Sequence, residues 1–191
     1  MTINLQTPIV AGKERTSGRQ KAQDESGSDT VKPTEVFKKY FGGIWVKVIN
    51  KTQFNLSYVP GDLDYGEMIN GPPDADAWTT KGFGVGGNTW LGMGVRPKGG
   101  VQMRLKLDNN NNFDFTLALS SAMFGNYNAS LVKGHDRSGA VKALKTAGAS
   151  ISSDWYQGVT KGDIKHGTSQ FNINVVTSPG YEMSLVISQD E

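Results

Sequence analysis

The chain of 191 residues has the length of one domain plus a tail, and it contains no apolar segment as long as a transmembrane helix. Its 20 basic and 18 acidic residues leave a net charge of +2, which is too balanced to predict a nucleic-acid partner. With 24 glycines, 37% hydrophobic residues and no cysteine, the composition predicts many turns and excludes disulfide bonds and thiolate metal sites.

Residues 1–34 are predicted to be a flexible, disordered N-terminal arm. Between residues 12 and 32 there is hardly an apolar side chain, so this segment cannot bury enough surface to offset the entropy cost of ordering. Residues 1–23 lack the apolar run of a signal peptide, so we expect a protein made in soluble form. Residues 35–191 are then predicted to be one folded domain.

A short amphipathic segment follows the arm at residues 35–41. Its apolar side chains fall on one stripe of a two-turn helix, and two lysines lie beside that stripe. The stripe consists of Val36, Phe37, Tyr40 and Phe41, and the lysines are Lys38 and Lys39. Two interpretations stay open at this point: a helix that packs on the folded domain, or an anchor at a membrane interface.

From residue 44 onward the hydrophobic pattern alternates with a period of two, which is typical of strands. Two pairs of alternating segments, each joined by a turn, predict hairpins at 101–119 and 171–188. Further strands are predicted at 44–49, 54–59, 78–83, 89–95 and 127–133, and one short helix at 138–146. The expected fold class is therefore all-β, an antiparallel β-sandwich with one short lateral helix.

Residues 82–87 match the letters of a dinucleotide-binding glycine motif. That motif functions only where a strand turns into a helix, whereas residues 88–91 look extended here. A loop or a bulge-rich strand is the better interpretation. The two histidines, His135 and His166, lie in polar loops, and no serine has the context of a nucleophile elbow. We therefore expect a protein that is not an enzyme and that needs no cofactor.

Two acidic pairs are candidates for calcium ligation, because hard cations prefer oxygen ligands. They are Asp62 with Asp64 and Asp74 with Asp76. Neither pair has the ligand density of an EF-hand loop, and acidic residues beside prolines are typical of turns. No metal site is predicted.

Several aromatic residues lie in or beside polar or glycine-rich segments that look like loops. They are Phe124, Tyr127, Trp155 and Tyr156. Amphipathic rings suit the headgroup level of a bilayer, but they also suit sugar stacking and ordinary sandwich cores. These three alternatives stay open for the residues taken alone.

Residues 99–134 and 154–188 resemble the actinoporin-type cytolysins, β-sandwich toxins that bind membranes and open pores. In the first stretch, Gly99-Gly100-Val101 through Phe115-Thr116-Leu117 to Tyr127-Asn128-Ala129 is similar to that family's central strands and aromatic loop. In the second, Asp154-Trp155-Tyr156 leads through a glycine-rich turn to the closing hairpin. Residues 45–50, 63–66 and Pro72 also look like the opening strands of the aegerolysins, a second family of membrane-recognising sandwiches.

The resemblance implies a membrane-lipid-binding protein, and by extension a pore-forming cytolysin that oligomerises on the bilayer and acts extracellularly on a target cell. The membrane-binding residues it implies are Phe124, Tyr127, Trp155 and Tyr156, with Lys133 meeting phosphate. The amphipathic segment adds Phe37, Lys38 and Lys39 as further predicted contacts, if it is an interfacial anchor. The sequence departs from actinoporins in two places: its N-terminal arm is polar, and residues 138–142 lack the tyrosines of their headgroup pocket.

Two other classes of protein fit the same predicted fold, because a fold does not determine function. A lectin-like module with a glycan partner would place aromatic rings beside amides, as Asn126-Tyr127-Asn128 does. A structural subunit of a capsid or similar assembly also fits, because sandwiches that carry flexible arms are common in such proteins.

Overall fold

The computed structural model describes residues 2–61, 63–90, 93–122, 126–162 and 167–191, and it confirms an all-β fold of two packed sheets. The strands are β1 Thr2–Asn4, β2 Ile9–Val10, β3 Phe41–Lys51, β4 Asn55–Val59, β5 Glu67–Ile69, β6 Thr80–Trp90, β7 Met93–Val95, β8 Lys98–Lys106, β9 Asn112–Ser121, β10 Tyr127–Lys133, β11 Ala149–Ser152, β12 Trp155–Lys161, β13 Thr168–Ser178 and β14 Glu182–Asp190. The helices are α1 Gly12–Glu25 and α2 Arg137–Lys142, and short 3₁₀ turns span Asp29–Val31 and Phe37–Lys39.

The larger sheet has ten strands, with the central order β1-β12-β13-β14-β3-β6-β5. Strand β11 also pairs with β13, β2 with β12, and β7 with β6. The smaller sheet has the order β10-β9-β8-β4. Most neighbours are antiparallel, as predicted, but β14 runs parallel to β3, and β1 and β2 run parallel to β12. Parallel pairing arises because these partners are far apart in sequence and need no hairpin turn.

Both predicted hairpins are confirmed. Strands β8 and β9 pair with Val101 opposite Leu117, and β13 and β14 pair with Val175 opposite Ile187. The inward side chains of both hairpins are buried in one hydrophobic cluster between the two sheets. Alternating polarity fixes this register, because a slip by one residue would turn every apolar side chain toward water. The predicted lateral helix is shorter than expected: α2 starts after Asp136, whose carboxylate caps the Gly139 N–H at 2.8 Å.

The glycine motif at residues 82–87 lies within the single long strand β6, so the predicted loop and the predicted break after residue 83 are wrong. The alternative of a strand with a bulge is confirmed, because the pairing of β6 with β3 shifts register between Phe41 and Ile44. Gly82, Gly84 and Gly86 share the outer face of β6, and we call them the glycine lane. A Cβ atom on Gly84 would lie 2.5 Å from Phe37 Cδ2, and one on Gly82 would lie 2.7 Å from Trp45 Cζ2. The motif therefore gives the rings of Phe37 and Trp45 room to pack closely against the sheet.

The predicted disorder of residues 1–34 is corrected, because the structure gives this segment a helix and two strands. Helix α1 lies on the outer face of the larger sheet, where Gly18 fits against the ring of Trp78 and the Ala22 carbonyl accepts a hydrogen bond from Thr80. Arg15 and Arg19 both donate to the Gln189 carbonyl at the end of β14. These contacts are polar and tertiary, so composition alone does not reveal them.

Asp108 ties the turn between β8 and β9 to the N-terminal segment. Its carboxylate accepts the backbone N–H groups of Asn110 and Asn111, each at 2.8 Å, and that of Gln6 at 3.0 Å. Burial alone would raise the pKa of Asp108, but these hydrogen bonds outweigh it and hold the pKa below its usual range. The carboxylate form is therefore favoured by folding.

Replacing Asp108 with asparagine should lower the free energy of unfolding by about 1–3 kcal/mol at pH 7, because the charge-assisted bonds are weakened. A lowered folded-state pKa gives stability that is complete above the unfolded value of about 3.9 and is lost as pH falls through the folded value. Urea unfolding at pH 7 and pH 3 should show the difference between wild type and Asp108→Asn shrinking at the lower pH. An equal difference at both pH values would contradict this role.

Candidate functional site

The segment 35–41 forms a 3₁₀ turn, Phe37–Lys39, that lies over the glycine lane. Phe37 is only 1% exposed, with its ring centre 5.2 Å from that of Trp45 and 5.7 Å from that of Tyr181. In this conformation Phe37 is a core residue, so its prediction as a membrane contact is corrected. Of the two interpretations of this segment, the structure has the one in which it packs on the sandwich.

Packing Phe37 inward presents its neighbours outward. Val36 is 57% exposed, and Lys38 and Lys39 are also exposed. Lys38 forms an ion pair with Glu35 at 2.6 Å, which raises the pKa of Lys38 through that hydrogen bond and keeps its ammonium charged. An apolar side chain and two cations therefore project from one short turn.

Tyr181 adds an exposed aromatic ring to the same place. It lies in the turn between β13 and β14, is 41% exposed, and accepts a hydrogen bond on its backbone carbonyl from Trp45 N at 2.8 Å. Partial burial raises the pKa of Tyr181, the charge of Lys38 opposes that effect, and Tyr127 lies close enough to add to it. The Tyr181 ring therefore lies beside Phe37, on the turn that carries Lys38 and Lys39.

The end of the hairpin β9–β10 completes this edge of the sandwich. The Ser121 hydroxyl donates to the Gly42 carbonyl at 2.7 Å, which holds the end of β9 beside the start of β3. Ala122 N donates to the Asn126 carbonyl at 2.7 Å, and half-buried Tyr127 begins β10 directly afterwards. The predicted contact Phe124 lies outside the described residues.

We call the surface formed by Val36, Lys38, Lys39, Tyr127 and Tyr181 the tyrosine–lysine rim. Three of its members were among the predicted membrane-binding residues: Lys38, Lys39 and Tyr127. Tyr181 was missed as a site residue, although its position directly after the turn Ser178-Pro179-Gly180 is a signal for an exposed ring. The sequence predicted Val36 as part of the apolar stripe but not that its side chain is exposed. Its outward direction follows from the burial of the adjacent Phe37 ring against the glycine lane.

Three other predicted residues do not join the rim. Lys133 is exposed but ends β10 six residues after Tyr127, which is about 20 Å along a strand. Tyr156 is 4% exposed and packs on Phe171 with ring centres 5.6 Å apart, so it is a core residue and its prediction as a membrane contact is corrected. Trp155 is 45% exposed, but it lies beside the middle of β13, also about 20 Å from the rim.

Three charged or titratable side chains on the smaller sheet are engaged with one another. Arg104 donates two hydrogen bonds of 2.8 Å to Asp114, and His135 Nε2 lies 3.5 Å from the same carboxylate. The Arg104 guanidinium lowers the pKa of Asp114, so the carboxylate is held charged and paired. His166 and Asp62 lie outside the described residues.

Within the described ranges, no group of three or more histidine, aspartate or glutamate side chains is placed to hold a metal ion. No helix in this part of the chain combines the length and apolar character needed to cross a membrane. A cleft of about 520 Å³ lies near Lys106 and Asp108, at the other end of β9 from the rim. Strand β9 has 10 residues, so roughly 30 Å separates the cleft from the rim.

Comparison with known proteins finds solved structures of low similarity. No family model and no curated protein matches the chain. Among solved structures, it is similar to the lipid binding protein Nakanori with 8% sequence identity and a TM-score of 0.42, over 93% of this chain and 79% of that one.

Proposed function

We propose that this protein binds the surface of lipid membranes through the tyrosine–lysine rim. The observation that carries the proposal is the convergence, at one edge of the sandwich, of exposed Val36 and Tyr181 with the cations Lys38 and Lys39. Val36 and Tyr181 come from segments 145 residues apart in sequence, and the fold places them around the single buried ring of Phe37. Exposed apolar side chains that cluster beside cations are typical of interfacial membrane contacts.

Each rim residue has a distinct part in this proposal. A tyrosine ring lies at the headgroup level, with its ring among the upper acyl carbons and its hydroxyl in water. Val36 inserts its side chain beside the ring, and burial of a valine contributes about 1.5–3 kcal/mol when complete. Each lysine near an anionic surface contributes about 1 kcal/mol. Glu35 partly offsets Lys38, so Lys39 is the stronger contributor.

The rim is small and lies on a rigid sandwich edge, so the proposed mode of binding is peripheral. The polar helix α1, whose exposed residues are almost all charged, amide or hydroxyl side chains, has no apolar face to place in a bilayer. Oligomerisation and pore formation stay predictions from the resemblance to cytolysins, as does the extracellular site of action. A non-catalytic role is part of the same proposal.

Vesicle co-sedimentation tests the proposal. The full chain is mixed with vesicles of phosphatidylcholine alone or with 30% phosphatidylserine, alongside the double variant Val36→Ser/Tyr181→Ser. Because both side chains are exposed, the variant should fold normally and lose about tenfold in affinity for both compositions. Lys39→Glu should lower the affinity about fivefold or more for the vesicles that contain phosphatidylserine, and should leave the affinity for pure phosphatidylcholine vesicles unchanged.

The matched control is Val159→Ser, since Val159 is 60% exposed and lies on β12 away from the rim. This control should bind as wild type does. The proposal would be overturned if the full chain bound neither vesicle composition. It would also be overturned if the rim variant and the control lost the same amount of binding affinity.

A further inference from the structure

The outer face of the larger sheet is covered on one side and open on the other. Residues 12–40 cover β3 and β6, whereas the strands from β11 to β14 present their outward side chains to solvent. The outward positions of β11 and β13 carry no charge at all. They are Ser150, Ser152, Thr168, Gln170, Asn172, Asn174, Val176 and Ser178. The charged side chains of this face lie on the flanking strands instead, with Lys161 at the end of β12 and Glu182 and Asp190 at the two ends of β14.

One exposed tryptophan lies in the middle of these neutral side chains. Trp155 pairs with Thr2 of β1 on one side, and the register of Tyr156 with Phe171 places it beside Asn172 on the other. Two residues along β12, Gln157 pairs with Gln170 on the same face. Side chains directly opposite across strands have Cβ atoms about 5 Å apart, so the ring is bordered by amides. We call Trp155, Gln157, Gln170 and Asn172 the amide block.

The hydrogen bonds within the amide block leave some of its amide donors and acceptors facing solvent. Gln170 Nε2 donates to Gln157 Oε1 at 2.9 Å, which fixes both amide planes. Within the described part of the chain, the Gln157 amide donor and the Gln170 carbonyl oxygen make no side-chain hydrogen bond on this face. Asn172 accepts from Asn174 at 3.3 Å and keeps its own amide donors available. Fixed amides that offer both donors and acceptors match hydroxyl groups, which are both donor and acceptor.

We propose that the amide block binds a neutral glycan, with a pyranose ring stacked on Trp155 and its hydroxyls bound by Gln157, Gln170 and Asn172. The choice of occupant follows from charge. The four side chains of the block carry none, and the neighbouring carboxylate of Asp190, opposite Asn172 on β14, is engaged by Asn174 at 2.6 Å and Arg19 at 3.6 Å. A protein partner would favour a more apolar patch than one tryptophan among amides. The site is independent of the tyrosine–lysine rim, about 20 Å away.

An array of neutral, sialylated and sulfated glycans, probed with the full chain, tests this site. Wild type should bind at least one class of neutral glycan, and Trp155→Ala should lower that binding about tenfold or more. Trp155→Phe keeps an aromatic face and should restore most of the binding. Val159→Ser, on the same outward face of β12 but outside the amide block, should bind as wild type does.

Three results would overturn the site: no neutral glycan bound, binding of charged glycans alone, or full binding by Trp155→Ala. Because Trp155 is 45% exposed, its replacement should leave the fold intact, which a circular dichroism spectrum checks. Trp155→Ala should also sediment with vesicles as wild type does, so the glycan site and the membrane rim can fail separately.

Discussion

Replacing Phe37 with alanine is expected to lower the free energy of unfolding by about 3–5 kcal/mol. The ring is 1% exposed and contacts Trp45 and Tyr181, and the glycine lane beneath it has no side chains that could collapse into the space. Urea unfolding monitored by tryptophan fluorescence measures the loss directly. The same variant should weaken vesicle binding, because Phe37 supports Tyr181 and positions the turn that carries the lysines.

Val36→Ala is the matched control for stability. Val36 is the adjacent residue but is 57% exposed, so its truncation should change the free energy of unfolding by less than about 0.5 kcal/mol. If Phe37→Ala cost no more than Val36→Ala, the ring would not be the support on which the rim depends.

The second large loss of stability is expected when Gly84 is replaced with alanine. An alanine Cβ at this position would lie 2.5 Å from Phe37 Cδ2, which is inside van der Waals contact, so the ring must shift. Forcing an extra carbon into a packed core costs about 1–3 kcal/mol. Gly71→Ala is the control, because nothing lies within 4 Å of its added Cβ and the change should be neutral or slightly stabilising.

The double variant Phe37→Ala/Gly84→Ala separates steric conflict from general damage to β6. With the ring removed, the alanine at position 84 no longer meets it, so the two losses should sum to more than the loss of the double variant. Strictly additive losses would show that Gly84 is needed for a reason other than the ring of Phe37.

The strands were predictable from sequence because their signal is local. Segments 101–107 and 113–119 alternate strictly, and alternation with one buried face specifies both the strand and its register. The long strand β6 was divided in the prediction because glycine lowers strand propensity. A usable signal was present, since three glycines at every second residue leave one face of a strand without side chains, which gives room for the aromatic rings of another segment.

The N-terminal segment and the site could not be predicted in the same way. Arg15 and Arg19 look like surface charges in the sequence, and only the fold shows that both reach the Gln189 carbonyl 170 or more residues away. Trp155 and Tyr156 are adjacent and similar in chemistry, yet alternation turns one outward and one inward. The direction of each depended on a register that was not predicted for β12.

The rim as a membrane-binding surface is tested most directly by placing an environment-sensitive probe on it. The chain has no cysteine, so a single cysteine introduced at Tyr181 or at Val159 can be labelled with the fluorophore NBD without competing sites. On addition of phosphatidylserine-containing vesicles, the probe at position 181 should shift to the blue and brighten, while the probe at position 159 stays unchanged. A blue shift at position 159 with none at position 181 would show that a different surface meets the bilayer.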